Sequence, residues 1–359
     1  MTTTSSFDAR RQPVVVDAHE DIAMNAILGR DFLKSALEKR ALEGNTGRRS
    51  ATVGLPDLLK GNVRVVFATI WVGPCPHEDP QERRLLPCYK TPQEAHEQAK
   101  AQLAYYVRLA EDPRIVLVKT RNDLDRALDP SAHRVGLVLL MEGADPLITP
   151  QEAKAWFDEG LRIIAPAWRR TRYAGGTGAP GPLTAYGREL MLEMERAGLM
   201  LDVSHLAEES FFDALDLFHG CVLASHSNCR VYIPTDRHLS DEMIRTLAKR
   251  GGVIGTNLYN GFLHSGWRDN EGAKSQVTLV DVVKHIQHVC VVAGDTLHAA
   301  IGSDFDGGFG TESIPAELGT VADLQQIGGA LKAEGLSDAD AENILGGNWL
   351  RLLRTALPP

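Results

Sequence analysis

Imidazoles and carboxylates stand at the ends of apolar runs scattered along the chain. His19 and Asp21 close VVVDAHED, and Glu142 closes VGLVLLME. His205 closes LMLDVSH, His226 lies in CVLASHS, and Asp304 lies in AAIGSDFD. These side chains are ligands for zinc and similar divalent ions. Together they exceed what one zinc ion needs. They suit two ions sharing a bridging carboxylate, with one group left to move a proton. Two ions a few Å apart can hold a bridging water, lower its pKa and polarise a carbonyl. The chemistry this points to is metal-assisted hydrolysis. Singly, each signal is weak: a lone His-x-Asp is often a strand end meeting solvent, and a lone buried histidine is often satisfied by backbone.

The elements that must position these groups can be read from the apolar patterning. Val14–Asp21 and Val63–Val72 read as strands buried on both faces. So do Val135–Glu142, Arg162–Trp168, Leu199–His205, Cys221–Ser227, Gly252–Tyr259 and Ala299–Asp306. Alternation along the first strand sends His19 and Asp21 to the same side. Ile115–Lys119 reads as a peripheral strand. Helices are expected over Ala23–Leu42, from the Thr91-Pro92-Gln93-Glu94 capping box to Glu111, after the similar Thr149-Pro150-Gln151-Glu152 start, and over Tyr186–Ala197. Further helices fall at Ala207–Phe218, Asp241–Arg250 and Leu279–Val292, with two more after Val321. Glu43–Ser50, Gly73–Lys90 and Arg169–Leu183 read as loops.

Buried strands alternating with helices imply a parallel sheet. The pattern fits an α/β fold of the (β/α)8 TIM-barrel type, with residues 1–359 as one barrel domain and the C-terminal helices packed on it. The rival is an open doubly wound sheet, but a Gly-rich phosphate turn after the first strand is absent. A barrel also gathers the C-terminal ends of its strands into one mouth, where the polar residues above collect.

Composition narrows the function classes. The chain has 359 residues, 43% of them hydrophobic, and a net charge of −9. No basic block with interleaved aromatics occurs, so nucleic acid is not an expected partner. No uninterrupted apolar stretch is long enough to span a bilayer, and no membrane association is expected. The opening MTTTSSFDARRQP lacks an apolar signal core, and the ending LRTALPP lacks a lipid-anchor tail. Cys75, Cys88, Cys221, Cys229 and Cys290 are odd in number and form no CxxC pair. They read as free thiols in a reducing compartment, which points to a cytoplasmic protein.

The ordered strings VDAHED, MEGADPL, LDVSH, ASHSN and GSDFDG resemble the renal (membrane) dipeptidase family of the amidohydrolase superfamily. The resemblance runs from about Val14 to Leu353. It implies a dipeptidase with two divalent ions, zinc, in which a metal-bridged hydroxide attacks the peptide carbonyl. His19 and Asp21 would hold the first ion, Glu142 would bridge, and His205 and His226 would hold the second. Asp304 would handle the proton, with Asp306 its competitor for that role. Arg237, a better match than Arg230, would grip the substrate carboxylate, a task suited to guanidinium geometry. The family accepts D-residues at the second position, so L-Xaa-D-Xaa dipeptides are expected substrates. A homodimer is likewise implied.

One departure from the family concerns the substrate. Where the mammalian members carry a substrate-contacting histidine at the end of the fourth strand, this chain has Trp168, followed by RRTRYAGG. Indole donates one hydrogen bond and accepts none. The metals, or Arg172 or Tyr173, would then replace the missing contact. The departure also motivates an alternative, a related hydrolase of another small amide or ester such as an N-acyl amino acid or lactone. A catalytically silent metal-binding barrel is the rival from another class, and the presence of Asp304 argues against it.

Overall fold

The computed structural model describes residues 12–44, 49–75, 88–270 and 272–359. The extreme N-terminal stretch, where no secretory signal was expected, lies outside them. So do the middle of the Glu43–Ser50 loop and most of the Gly73–Lys90 loop.

The barrel strands are β1 (Val15–Glu20), β2 (Val63–Trp71), β3 (Val135–Glu142), β4 (Leu161–Ala165), β5 (Met200–Asp202), β6 (Val222–Leu223), β7 (Ile254–Thr256) and β8 (Ala299–Ile301). β1 to β6 pair in sequence order, and β7 pairs with β8, all in parallel. Single parallel bridges join Ala224 to Ile254 and Glu20 to Phe305. Those two bridges complete the ring, so the closed barrel is preferred over the open sheet. The short strand Ile115–Leu117 pairs outside the ring, on β3.

The two long apolar runs form the longest strands because every residue in them is buried. Residues from every barrel strand but β7, among them Val16, Phe67, Leu140, Ile163, Met200 and Ala300, join one apolar cluster with Trp349 and with Val253, which immediately precedes β7. Trp349 lies on the C-terminal helix Asn348–Ala356 and donates its indole N–H to Ile301 O at 2.9 Å. A second, larger cluster packs strands against the surrounding helices.

Several boundaries differ from the sequence reading. The helix expected over Ala23–Leu42 is two, Ile22–Ile27 and Ala36–Glu43. Gly29 takes a left-handed φ of 94°, and Ser35 starts the second helix through a capping box with Glu38. At Thr91 only half of the expected box forms. The Thr91 hydroxyl accepts from Glu94 N at 3.2 Å, while the Glu94 carboxylate accepts from Lys90 N at 2.6 Å. After Thr149 the chain makes a 3-10 turn, Pro150–Glu152, before the helix Ala153–Glu159. β5 to β8 are shorter than their apolar runs, so His205, His226 and Asp304 stand just beyond the strands on the loops that follow.

The cysteine reading also needs correction. Cys75 and Cys88 form a disulfide, with their Cα atoms 4.8 Å apart. Gly73–Pro74 pairs with Cys88–Tyr89, and this ladder holds the two cysteines together. Cys221, Cys229 and Cys290 are free.

Candidate metal centre

Glu142, the last residue of β3, is the hinge of the cluster. Its Oε1 faces His205 Nε2 at 3.0 Å and His226 Nε2 at 3.3 Å. Its Oε2 faces His19 Nε2 at 3.7 Å. One carboxylate therefore addresses imidazoles from both sides, as a bridging ligand must. His19 Nε2 lies 3.9 Å from Asp304 Oδ1. Atoms of His19, Asp21 and Asp304 gather within 4.8 Å of one another, as do those of His19, Glu142 and His226. All six residues named from the sequence thus meet at one mouth.

Local structure explains the placement. The β1–β2 register slips between Asp17 and Glu20, an irregularity that re-aims the strand end at His19. Asp21 then becomes the N-cap residue of the helix Ile22–Ile27. Asp304 has a left-handed φ of 61°, a conformation aspartate tolerates better than most residues. Its backbone N–H donates to His19 O at 3.2 Å, which ties the end of β8 to β1. Asn257, just past β7, donates to Asp304 Oδ2 at 2.8 Å.

The charges in this mouth are unbalanced. Burial pushes Glu142 and Asp21 well above the usual carboxylate range, and neighbouring carboxylates push them further. Burial raises Asp304 to about 7, against the pull of Asn257 and Arg237. Burial, helped by Arg237, lowers His19 to about 3, and it lowers His205 and His226 well below 6.5. The imidazoles are therefore neutral and offer lone pairs, while carboxylates crowd one another. His205 Nε2 and His226 Nε2 face each other at 3.0 Å. His19 Nε2, Asp21 Oδ1 and Glu142 Oε1 are buried without a hydrogen-bond partner. Such groups are costly to bury unpaired, and divalent cations would satisfy all of them at once. The residues present fit metal ions.

A cavity of about 390 Å³ opens over the cluster. Trp71, Trp168, Arg237, Tyr259, Phe262 and Phe309 line much of it. Trp71 and Trp168 meet edge to face at 5.2 Å. Arg237 is buried and already engaged. Its Nη1 donates to Ser204 O at 2.9 Å and its Nη2 to His226 O at 2.7 Å, while its Nε has no partner.

Arg172 and Tyr173 do not reach this lining. Arg172 donates to the backbone oxygens of Asp145, Leu147 and Ile148, and the Tyr173 hydroxyl donates to Leu147 O at 2.6 Å. Both tie down the loop after β3, so their side chains are spent on architecture. Asp306 also points elsewhere, accepting from Thr52 N and Oγ1 at 2.7 Å each. Cys229 is buried with its thiol pushed up by burial, which disfavours a nucleophilic thiolate.

Sequence reasoning missed Trp71, Asn257 and Thr177. Trp71 sits inside an uninterrupted apolar run and reads as core. Its register opposite Glu142 is what brings it to the mouth. Asn257, in GVIGTNLY, was a polar residue at a strand end, the same signal that marked the histidines. Thr177 bonds His205 Nδ1 at 3.0 Å from a long loop with no periodic pattern.

Known proteins resemble this chain over nearly its whole length. The family model described as membrane dipeptidase, peptidase family M19, matches residues 8–357. An uncharacterized Klebsiella pneumoniae protein from the pqqA 5' region is 32% identical over 251 residues, 67% of this chain and 89% of that relative. An uncharacterized dipeptidase of Schizosaccharomyces pombe is 28% identical, covering 82% of this chain and 69% of its own length. Among solved structures, a metallopeptidase from Rhodobacter sphaeroides, liganded with a phosphinate mimic of the dipeptide L-Ala-D-Ala, superposes with a TM-score of 0.79. It is 25% identical, and the match covers 96% of this chain and 100% of that one.

Proposed function

The chain belongs to the membrane dipeptidase family, peptidase family M19, and from that membership we propose that it is a metal-dependent dipeptidase using two divalent ions. The observation that carries the reading is Glu142, set between His19 on one side and His205 and His226 on the other. In this proposal His19 and Asp21 would hold one ion, His205 and His226 would hold the second, and Glu142 would be shared between them. The imidazole and carboxylate donor set suits zinc. Bound there, the ions would lower the pKa of a water and polarise the scissile carbonyl.

The chain's own groups do the rest. Asp304 accepts one proton of the attacking water and passes it to the departing amine as the C–N bond breaks. The second water proton stays on the new carboxyl group until it ionises, so the products are a carboxylate and an ammonium. Asn257 pins Asp304 Oδ2, which leaves Oδ1 on the His19 side for that transfer. Arg237 offers its unpartnered Nε to the substrate's C-terminal carboxylate. Trp71 and Trp168 supply an apolar wall that excludes water beside the reacting bond. The R. sphaeroides relative's ligand mimics L-Ala-D-Ala, which supports testing L-Xaa-D-Xaa substrates here. The proposal takes the barrel and its C-terminal helices as one domain and the assembly as a homodimer. Among the described residues no helix is long and apolar enough to cross a membrane. A cytoplasmic location loses one of its supports with the Cys75–Cys88 bond, because such bonds are rare in reducing compartments.

A specific observation favours a second reading. Two arms of the Arg237 guanidinium already hold protein carbonyls, and Trp168 offers no acceptor. A lactone, with no carboxylate, would ask less of Arg237, and an N-acyl amino acid, which keeps the carboxylate but has no free amine, would ask less of the Trp168 position. The experiment is hydrolysis of L,D- and L,L-dipeptides, N-acyl amino acids and lactones by the wild type and by Arg237→Met. Dipeptide cleavage that collapses in the variant supports the first reading. Ester or lactone cleavage that survives in it supports the second.

A further inference from the structure

We infer that Ser225, directed by Asp202, is the positioning residue that fixes the tautomer of His226 and His19. This inference rests on reading those two histidines as metal ligands. Ser225 and Asp202 are fully buried. The Ser225 hydroxyl lies 2.5 Å from Asp202 Oδ2, 2.7 Å from His226 Nδ1 and 3.4 Å from His19 Nδ1. A hydroxyl has one proton to give and two lone pairs to receive with.

The direction of each bond follows from groups that cannot reverse. Asp202 Oδ1 accepts the backbone N–H groups of Ser204 and Ser225 at 3.0 Å each, and the Ser204 hydroxyl at 2.6 Å. Oδ1 thus accepts from three donors, and an ionised Asp202, whose acidity burial weakens, takes the Ser225 proton on Oδ2. The Ser204 hydroxyl, 3.1 Å from Ser225 Oγ, gives its proton to Asp202 Oδ1 at the shorter distance of 2.6 Å, so the serine oxygen has only lone pairs left and both nearby imidazoles donate to it from Nδ1. Their Nε2 atoms carry no proton and face Glu142, at 3.3 Å for His226 and 3.7 Å for His19. One serine therefore presents a lone pair from each of two histidines to the metal cluster. Orienting partners of this kind govern how well a histidine binds metal.

The argument makes an asymmetric forecast for substitutions. In Asp202→Asn the amide oxygen must stay at the Oδ1 position, because two backbone N–H groups point there. The amide NH2 then faces Ser225 and donates to it. Ser225 then turns its own proton to His226 Nδ1, its nearest remaining acceptor at 2.7 Å against 3.1 Å for Ser204 Oγ, which moves the His226 proton onto Nε2 and blocks the ligand atom. Ser225→Ala merely releases the imidazole to choose.

The test reads tautomers directly, by two-bond proton–nitrogen correlation on the full-length chain labelled with 15N-histidine, after chelation and after Zn2+ is restored. The His226 signals are identified by their loss in His226→Gln. Zinc affinity is measured alongside by competition with a chelating dye. The wild type should carry the proton on Nδ1 of His226 and His19. Asp202→Asn should move the His226 proton to Nε2 and weaken zinc binding about 10–100-fold. Ser225→Ala should give averaged His226 nitrogen shifts and a smaller loss of affinity. A wild-type His226 protonated on Nε2 would overturn the assignment. So would an Asp202→Asn or Ser225→Ala chain that keeps the Nδ1–H tautomer and wild-type zinc affinity. If Asp202→Asn does not fold, the wild-type spectrum and Ser225→Ala still decide. Expected tautomers without dipeptide cleavage would overturn the dipeptidase reading and leave this assignment standing.

Discussion

Glu142 and Asp304 are both buried carboxylates at the same mouth, yet their surroundings give them different work. Glu142 faces three imidazoles and keeps one oxygen without a hydrogen bond. Asp304 has one oxygen pinned by Asn257 and the other turned toward His19. Replacing Glu142 by Gln removes a charge shared by both proposed ions. The protein should then purify with well under its normal metal content, and activity should fall with the metal. Asp304→Asn should separate the two properties. Metal content stays near wild type, while kcat drops about 10²–10⁴-fold, the usual worth of a positioned acid–base group. Metal analysis of both variants beside their kcat values checks the pair. Equal metal loss in both would show that Asp304 is chiefly a ligand.

The strand ends behave as a unit because loop residues lace them together. Asp306, at a φ of 60°, accepts from Thr52 N and Oγ1 at 2.7 Å each and lies 3.5 Å from Arg30. Asp306→Ala would leave buried donors unpaired and should lower stability by about 1–3 kcal/mol. Denaturant unfolding of the metal-free chain measures this, and an unchanged midpoint would show that Thr52 finds other partners. The contrast between Asp304 and Asp306 shows where the sequence stops being legible. Both follow β8 in GSDFDG, and alternation along a strand would have paired them. The strand instead ends at Ile301, and left-handed turns send the two carboxylates to different tasks. By comparison, β1, β2 and β3 were readable almost to the residue, since runs such as VGLVLLM have no other stable home than a buried strand. The six side chains that cluster at the mouth were readable because polar residues ending such runs are expensive to bury without a purpose. Arg172 and Tyr173 were misread because proximity in sequence to Trp168 says nothing about where a loop turns its side chains. Trp71 was missed because its role depends on its register against Glu142.

At the scale of the whole molecule, the strand pattern announced the barrel, but the contacts that close it and a cross-link were beyond the reach of local pattern. The bridges Ala224–Ile254 and Glu20–Phe305 join segments that only the fold brings together. The Cys75–Cys88 bond joins cysteines 13 residues apart that two short paired segments bring together, and spacing alone did not announce it. Thiol titration of the denatured, unreduced chain should find three reactive cysteines, rising to five after reduction. Five before reduction would contradict the bond. The central claim, that these strand ends assemble a two-ion dipeptidase, is tested most directly by one combined measurement. It is metal content of the purified protein together with hydrolysis of an L,D- and L,L-dipeptide panel before and after chelation. The account predicts about two equivalents of divalent metal and dipeptide cleavage that chelation abolishes and added metal restores. Cleavage that persists in a fully metal-free chain, or a natively folded chain that takes up no metal, would contradict it.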